Sequence, residues 1–383
     1  MICGGVEKSL LSLINEIPKD LYEVTIFMVR ANGDFLEFIP SWVTQGELPL
    51  NKELVDELLA GGAKASIIKN VKKLRFLKAA NIIIKKKVLK DPIPEMSTKF
   101  EEIQSLEKKY DVAIAFHMHM PFIVKYVADK VVADIKIAWI HNDFLTSKFH
   151  PGILKEYLDK YDKFFAVSKQ LMHEYVGIFP EFKDKTEIFY NIISQETIKK
   201  MSGDRINDFD QNQINILSIG RLDRQKGYDL AIKVCRKLLD KGYDFKWYII
   251  GEGNEREALE KAINKLKLEN NFILLGMRTN PYPYLEKCDI YVQPSRHEGY
   301  CLTLAEARCL YKPIVTTDFA GAKEQIINNV NGIITLFDVD QLFNSIERLI
   351  SNKDLMRKFS VELKKQGFKI DEEENKLINY IKE

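Results

Sequence analysis

The chain has 383 residues, of which 46% are hydrophobic and 29% are charged, and its formal net charge at pH 7 is +2. This length predicts two domains rather than one, and the hydrophobic fraction is sufficient for a sizeable core in each. A net charge so close to zero argues against nucleic acid as a general partner. The sequence contains neither a run of about 18 apolar residues nor a signal-peptide pattern, so we expect no segment to span a membrane.

The cysteines form no C-x-x-C pair, and none lies beside histidines at a spacing typical of metal sites. Those in apolar surroundings are expected to be reduced core residues, which favours a cytoplasmic location. The five cysteines are Cys3, Cys235, Cys288, Cys301 and Cys309.

The first residues predict a turn at Gly4 and Gly5, followed by a helix with an apolar stripe. In a doubly wound fold, a strand should lead into such a turn, but no strand-forming run precedes Gly4. Either the strand is missing from this sequence, or the start of the sequence is assigned late, or another segment replaces the strand. Of these alternatives we favour a first domain that lacks its first strand. Such an arrangement would leave a central gap or exposed edges in the sheet.

The run 22–29 predicts a strand, because β-branched and aromatic residues dominate it. From Gly33 to Lys109 the pattern is helical and irregular. Within it, residues 60–90 interleave lysines with apolar residues and contain no acid. Such a basic amphipathic stretch can lie on an anionic membrane, or it can pack its apolar stripe on the domain core. The sequence leaves both alternatives open, whereas nucleic acid is disfavoured because no recognition motif accompanies the stretch.

Two predicted strands of the first domain end at polar residues that indicate a ligand site. His117 and His119 follow one apolar run, and His141 and Asn142 follow the next. Because carboxyl ends of parallel strands lie at one edge of a sheet, we expect these side chains to face one cleft. The alternatives are structural histidines and a cap of the next turn by Asn142 or Asp143. A zinc site is not expected, since positions i and i+2 of a strand face opposite sides and no third ligand is evident.

The first domain is predicted to close with strands at 162–168 and 185–190, where Ser168 caps the helix after the first of them. The polar segment 194–213 is typical of an interdomain linker. Asp208 and Asp210 mimic a D-x-D metal motif, as do Asp338 and Asp340, but we expect all of them to cap helices or to lie in loops.

The second domain is predicted to begin with the strand 214–219, which leads into Gly220, Arg221 and Lys226. A glycine at this position lets the backbone approach a ligand closely. The two cations are either part of a solvated basic loop or the phosphate-binding groups of a strand-to-helix turn.

The next two predicted strands also end in turns that can contact a ligand. Gly251, Glu252 and Gly253 form a G-x-G turn, but Arg256 stands where the dinucleotide fingerprint needs another glycine. Arg278 comes after the second of these strands. These turns are therefore weak signals by themselves.

The strongest signal is the stretch after the apolar run 288–292, which predicts a buried strand followed by a loop and a helix. Glu298 lies in the loop beside Gly299, and Glu306 lies about one turn into the helix. The free amides of a helix N-terminus favour a phosphate. The two carboxylates can accept hydrogen bonds from hydroxyls on either side of it, which is the layout of a sugar nucleotide. The alternative is that Glu306 is an ordinary acid of a first helical turn.

The string E-G-Y-C-L-T-L-A-E, from Glu298 to Glu306, resembles the E-x7-E motif of retaining GT-B glycosyltransferases of family 4. The segment from Lys312 to Glu324 is similar to the strand, glycine turn and helix that come after this motif in that family, and the resemblance covers most of the chain. It implies an α/β GT-B fold with two Rossmann-like domains that face a cleft. The expected domains are residues 1–197, with the basic insertion near 60–90, and residues 198–365; a C-terminal helix in 366–383 would cross back to the first domain.

The resemblance also implies the roles of individual residues. Arg221 and Lys226 would bind the diphosphate, Glu298 the donor sugar and Glu306 the ribose. His119 matches the family's H-x-P element, whose histidine contacts the donor sugar, and His117 is the second candidate. The remaining expected binding residues are Gly4, Gly5, His141, Asn142, Gly220, Gly251, Glu252, Arg278, Gly299, Tyr300, Cys301 and Leu302.

The implied reaction is the transfer of a sugar from a nucleoside-diphosphate sugar to a hydroxyl acceptor, with retention at the anomeric carbon and without a metal or other cofactor. The basic stretch suggests a lipid-linked saccharide acceptor at the inner face of the cell membrane, as in the synthesis of capsule or other cell-surface polysaccharides. Two alternatives remain open, namely a sugar-nucleotide epimerase of the same architecture and a non-catalytic protein that binds nucleotide sugars.

Overall fold

Parallel strands alternate with helices in both halves of the chain, as the sequence predicts for an α/β protein. The computed structural model describes residues 5–33, 36–59, 100, 103–141, 154–210, 212–367 and 371–382. The predicted basic stretch 60–90 lies outside the described residues, as do Cys3, Gly4 and Asn142. None of the described helices is long and apolar enough to cross a membrane.

The first domain contains six described strands, all of whose pairings are parallel. Its strands are β1 (Thr25–Met28), β2 (Thr44–Glu47), β3 (Tyr110–Ala115), β4 (Ala133–Ile140), β5 (Lys163–Ala166) and β6 (Thr186–Ile188). Its helices are α1 (Gly5–Glu16), α2 (Lys52–Leu59), α3 (Pro121–Lys130), α4 (Lys155–Leu158) and α5 (Lys169–Ile178).

The linker and the second domain supply the remaining elements, in which helices and strands continue to alternate. The strands are β7 (Ile214–Ile219), β8 (Phe245–Ile250), β9 (Phe272–Gly276), β10 (Ile290–Gln293), β11 (Ile314–Thr317) and β12 (Ile333–Thr335). The helices are α6 (Gln195–Met201), α7 (Tyr228–Asp240), α8 (Arg256–Lys265), α9 (Tyr282–Lys287), α10 (Leu302–Cys309), α11 (Ala322–Gln325), α12 (Val339–Ile350), α13 (Lys353–Gln366) and α14 (Asp371–Lys382).

The strands of the first domain divide into two sheets. Strands β1 and β2 form a two-stranded sheet, and β3, β4, β5 and β6 form a four-stranded sheet in that order. No described strand pairing joins β1 to β3, although the rings of Phe27 and Tyr110 meet edge to face with centroids 6.4 Å apart. Lys108 and Glu23 also form an exposed ion pair between these parts. Among the described residues, the strands of the first domain therefore form two separate sheets, and the absence of a first strand remains a prediction.

Strand β2 corrects the prediction that residues 33–109 are only helical and irregular. It pairs in parallel with β1 and places Gly46 opposite Phe27. Its sequence, Thr-Gln-Gly-Glu, contains no apolar residue and is largely exposed. The sequence therefore lacks the alternation of apolar and polar residues that indicates a half-buried strand. Strand β2 forms because its backbone pairs with β1.

The second domain is built on a six-stranded parallel sheet with the order β12-β11-β10-β7-β8-β9. The chain places β8 and β9 on one side of β7, and then returns to place β10, β11 and β12 on the other. The direction of winding thus changes between β7 and β10, and open α/β sheets bind ligands outside the carboxyl ends of the strands at such a point. The loops after β7 and β10 carry the motifs with Lys226 and Glu298.

The chain passes between the two domains twice. The segment predicted as a polar linker contains the helix α6, which Ser194 caps by accepting a hydrogen bond from the Thr197 amide at 3.2 Å. The prediction missed this helix because its seven residues contain little apolar periodicity. The last helix, α14, packs on the first domain, where Lys376 Nζ donates to the Ile188 carbonyl at 2.9 Å and Tyr380 meets Phe165 edge to face.

Candidate functional site

A buried ion pair joins the loops after β7 and β10. Lys226 Nζ donates to Glu298 Oε1 at 2.6 Å, and the two side chains are only 13% and 10% exposed. Burial alone would lower the pKa of the Lys226 ammonium, but the Glu298 carboxylate outweighs this effect and raises the pKa above its ordinary value. Lys226 is therefore fully charged at neutral pH, as a group that binds a phosphate must be.

Glycine allows the two loops to touch. Gly227 has a φ of +71°, and a Cβ there would lie 1.9 Å from the Pro294 carbonyl oxygen. Glycine is also required at position 251, in the turn after β8, because a Cβ there would lie 1.9 Å from the carbonyl oxygen of Gly220. The glycines of the G-x-G turn thus serve the packing of the β8 loop on the β7 loop.

The N-terminus of α10 offers backbone amides to the same place. The helix begins after Cys301, which has a φ of +68°, and no described side chain caps it. By contrast, Ser168 caps α5 by accepting a hydrogen bond from Leu171 N at 3.2 Å, as predicted. Uncapped amides together with the helix dipole favour an anion.

Arg221 lies in the loop after β7. Its side chain is 61% exposed and forms an ion pair with Asp223 at 3.3 Å. Burial lowers the pKa of His117 below its ordinary value. The positive charge of Arg221 lowers this pKa further, whereas the negative charge of Glu7 raises it. His117 therefore lies within electrostatic range of both Arg221 of the second domain and Glu7 of α1.

Glu306 contacts the first domain. Its Oε1 accepts hydrogen bonds from Lys8 of α1 and, at 3.2 Å, from the hydroxyl of Tyr282, while Oε2 is buried without a partner among the described residues. Burial alone would lower the pKa of Lys8, but Glu306 raises it overall. Lys8 is a site residue that the sequence analysis missed, because a lysine in the first turn of an amphipathic helix carries no distinguishing pattern.

The histidines at the ends of β3 and β4 lie close to one another. His141 is buried, with its ring centroid 4.7 Å from that of Phe116, and its Nε2 has no partner among the described residues. Burial, followed by the charges of His117 and His119, lowers the pKa of His141 to about 3. His141 is therefore neutral at physiological pH.

The loop after β10 packs directly on His141. A Cβ at Gly299 would lie 2.0 Å from the His141 carbonyl oxygen, so only glycine fits this approach. A Cβ at Gly5 would lie 3.7 Å from Leu302 Cδ1, which brings the start of α1 to the start of α10. Tyr300 is buried and its carbonyl accepts a hydrogen bond from Gln325. The predicted residues of both domains thus meet at one interface.

Two other predicted binding residues have partners within the second domain. Glu252 forms an ion pair with Arg256. Arg278 Nε donates to the hydroxyl of Tyr284 at 3.1 Å, and its guanidinium lies 3.8 Å from Asp208 of the linker. Their predicted role toward a nucleotide remains a prediction.

The aspartates that mimic metal motifs have structural partners. Asp208 accepts a hydrogen bond from Tyr284, Asp210 pairs with Lys246 at 3.2 Å, and Asp338 caps α12 by accepting from the amides of Asp340 and Gln341. The described residues contain no group of three or more His, Cys, Asp or Glu side chains that could hold a metal ion.

Glu324 is a second residue whose role the sequence analysis did not assign. It belongs to α11 of the second domain, and its carboxylate accepts hydrogen bonds from the first domain. The donors are the amide of Lys169 at 3.0 Å, the amide of Gln170 at 3.3 Å and the hydroxyl of Tyr190 at 3.0 Å. The carboxylate thus lies at the N-terminus of α5, where the helix dipole favours it.

Residues 202–366 match the family model described as "Glycosyl transferases group 1". One relative is N-acetylgalactosamine-N,N'-diacetylbacillosaminyl-diphospho-undecaprenol 4-alpha-N-acetylgalactosaminyltransferase of Campylobacter jejuni. The chain is 29% identical to it over 232 residues, and the aligned region covers 60% of each sequence. It is 28% identical over 239 residues to an uncharacterized glycosyltransferase of Methanocaldococcus jannaschii, covering 58% of this chain and 59% of the relative. The matched region therefore spans about three fifths of the length of these curated relatives.

Solved structures match the whole architecture. HepE of Anabaena, solved in complex with UDP, has a TM-score of 0.70 at 16% identity, and the match covers 99% of this chain and 96% of HepE. TarM of Staphylococcus aureus has a TM-score of 0.60 at 21% identity, with 71% of this chain and 55% of TarM covered. The chain thus has the GT-B fold, and residues 202–366 are similar to the glycosyl transferases group 1 family.

Proposed function

We propose that this protein is a glycosyltransferase that moves a sugar from a nucleoside-diphosphate sugar to a hydroxyl of a saccharide acceptor, with retention at the anomeric carbon. The observation that carries the proposal is the buried pair of Lys226 and Glu298, which lies beside the uncapped N-terminus of α10 where the winding of the sheet reverses. A cation, free amides and a carboxylate at one place suit a diphosphate joined to a hydroxyl-rich group.

The reaction needs help mainly at the leaving group. The bond between the anomeric carbon and the diphosphate oxygen breaks, and a bond from that carbon to the acceptor oxygen forms on the same face. The acceptor proton passes to the departing phosphate. Lys226, Arg221 and the amides of α10 would stabilise the charge on the diphosphate without a metal, and removal of one such donor costs about 3 kcal/mol or more.

The carboxylates would hold the two ends of the donor. Glu298 would accept hydrogen bonds from donor-sugar hydroxyls, and Glu306 from the ribose. For the ribose to bind, it must share Glu306 with Lys8 and Tyr282, which already donate to Oε1. A histidine of the first domain, His119 or His117, would contact the donor sugar from the opposite side of the cleft.

We propose a lipid-linked saccharide as the acceptor, and a site of action at the inner face of the cell membrane. The name of the Campylobacter relative, which refers to a diphospho-undecaprenol saccharide, supports this choice. The basic amphipathic character of residues 60–90 supports it independently.

The test is transfer from a panel of UDP-sugars to undecaprenyl-diphosphate-linked saccharides, measured as UDP release and as labelled lipid product. We expect product with an α linkage from an α-linked donor, and we expect activity to persist in EDTA. Lys226→Met and Glu298→Gln should each abolish most transfer, while Lys261→Met, which alters an exposed pair on α8, should not.

Three results would contradict the proposal. Conversion of the donor sugar in the absence of acceptor would identify an epimerase. Tight binding of UDP-sugars with no turnover on any acceptor would indicate a binding protein. Inversion of the anomeric configuration would exclude the retaining reaction.

A further inference from the structure

Glu298 lies at the end of a buried chain of hydrogen bonds. The hydroxyl of Tyr291 donates to Gln293 Oε1 at 2.5 Å, and Gln293 Nε2 donates to Ser295 Oγ at 2.8 Å. The Ser295 hydroxyl then donates to Glu298 Oε1 at 2.7 Å. The first three residues are fully buried and Glu298 is 9% exposed, so the chain runs from the interior of the sheet to the surface of the cleft.

The direction of this chain is fixed by the amide of Gln293. Its Oε1 accepts from Tyr291 and also from the Thr303 hydroxyl of α10 at 3.1 Å, so its Nε2 has to face Ser295. Ser295 Oγ consequently accepts a hydrogen bond from Gln293, and its own hydroxyl donates a hydrogen bond to Glu298. Each bond in such a series polarises the next, and the series ends on a carboxylate, where a hydrogen bond is strongest.

The chain acts on one oxygen of Glu298. Ser295 and Lys226 both donate to Oε1, at 2.7 Å and 2.6 Å. No described residue donates a hydrogen bond to Oε2. Two donors on one oxygen fix the plane of the carboxylate, and they leave the other oxygen for a ligand.

We propose that Gln293 and Ser295 are positioning residues, which hold Glu298 so that Oε2 accepts a hydrogen bond from a hydroxyl of the donor sugar. This inference rests on the proposed function. Both residues are fully buried, so neither reaches the ligand, and their effect passes through Glu298. Pre-set orientation matters because a group that has to be reoriented on binding contributes less to affinity and rate.

The test compares Ser295→Ala with Ser218→Ala in the full chain. Ser218 is an equally buried serine on the neighbouring strand, where it donates to the Val292 carbonyl at 2.6 Å and accepts from Trp247 at 3.0 Å, without contact to Glu298. Both variants lose a buried hydroxyl and should lose similar stability. Calorimetric titration then measures the affinity for UDP, UDP-glucose, UDP-N-acetylglucosamine and UDP-N-acetylgalactosamine. The difference in affinity between each UDP-sugar and UDP gives the contribution of the sugar.

A hydrogen bond to a charged group contributes about 1.5–3 kcal/mol, which corresponds to about 10- to 100-fold. We expect Ser295→Ala to keep the affinity for UDP and to lose the extra affinity for the preferred UDP-sugar. Its kcat/KM for transfer should fall by about 10- to 100-fold, and Ser218→Ala should match the wild type in both measurements. Tyr291→Phe removes one hydroxyl and leaves the Thr303 hydroxyl to donate to Gln293. It should lower the extra affinity for the UDP-sugar and kcat/KM in the same way as Ser295→Ala, but by less. This second variant keeps the inference testable if Ser295→Ala does not fold.

The inference is overturned if folded Ser295→Ala retains the wild-type gain of UDP-sugar over UDP, or if Ser218→Ala loses as much of it. A different result defeats the proposed function with a UDP-sugar as the donor instead, namely a wild-type protein that binds none of the UDP-sugars more tightly than UDP. In that case the inference falls with it.

Discussion

Gly299 lies where the loop after β10 meets the first domain, so an alanine at this position should hold the two domains apart. Its Cβ would lie 2.0 Å from the His141 carbonyl oxygen and 3.1 Å from Leu171 Cδ1. Ordinary contact begins at 3.4 Å, so the carbonyl would have to retreat by about 1.4 Å, the difference between 3.4 and 2.0. Because the obstacle is backbone, no side-chain rotation can remove it.

Misplacement of reacting groups by about 1 Å can cost about 100-fold in rate. We therefore expect Gly299→Ala to reduce kcat/KM for sugar transfer by about 100-fold, equivalent to about 2.7 kcal/mol of transition-state stabilisation. The affinity for UDP should be largely retained, because the residues proposed to bind the diphosphate belong to the second domain. Steady-state UDP release and calorimetric UDP titration measure the two quantities.

Gly177 provides the matched control for this substitution. It belongs to α5, the helix that carries Leu171, and a Cβ there would meet nothing within 4 Å. Gly177→Ala should keep full activity and stabilise the protein by about 0.5–1 kcal/mol, since glycine is unfavourable within a helix. A Gly299→Ala enzyme with wild-type kcat/KM would show that the approach of the loop to His141 plays no part in assembling the site.

Three further predictions concern stability. A double-mutant cycle of Lys8→Met and Glu306→Gln, measured by urea unfolding, should give a coupling energy of about 1–3 kcal/mol. If the two changes in the free energy of unfolding simply add, the ion pair does not stabilise the fold. The pKa of His141 in the folded protein is about 3, below its ordinary value of 6.5. Between pH 6.5 and pH 3 the unfolded chain therefore binds more protons than the folded one. The free energy of unfolding should consequently fall on acidification through this window, by up to about 1.4 kcal/mol per pH unit. His141→Phe should reduce this slope, and an unchanged slope would refute its origin. Glu324→Ala should cost about 1–2 kcal/mol by removing the acceptor at the N-terminus of α5, and an unchanged unfolding midpoint would contradict that role.

The sequence predicted the second domain more completely than the first. The strand at 214–219 has the predicted bounds, because its run is mostly apolar and Gly220 follows it directly. The motif that carries Glu298 and Glu306 was visible for the same reason, since its loop comes directly after such a run. These elements take their form largely from local pattern.

Features that depend on contacts between distant segments escaped prediction. Strand β2 is polar and forms through pairing with β1, and α6 is a short polar helix. Lys8 and Glu324 act across the domain interface, and the sequence analysis contained no signal that either residue had a partner 298 or 155 positions away. Only the packed tertiary structure brings such pairs together.

The chain crosses between the domains at α6 and again between α13 and α14, and this double connection limits how the cleft can open. A body attached at one point can swing in any direction, whereas one attached at two points turns only about the line that joins them. Any opening that admits a donor should therefore be a hinge rotation about the side where α6 and α14 lie. The contacts of Lys8, Gly299 and Glu324 would separate together in that rotation, because all of them join the same two bodies.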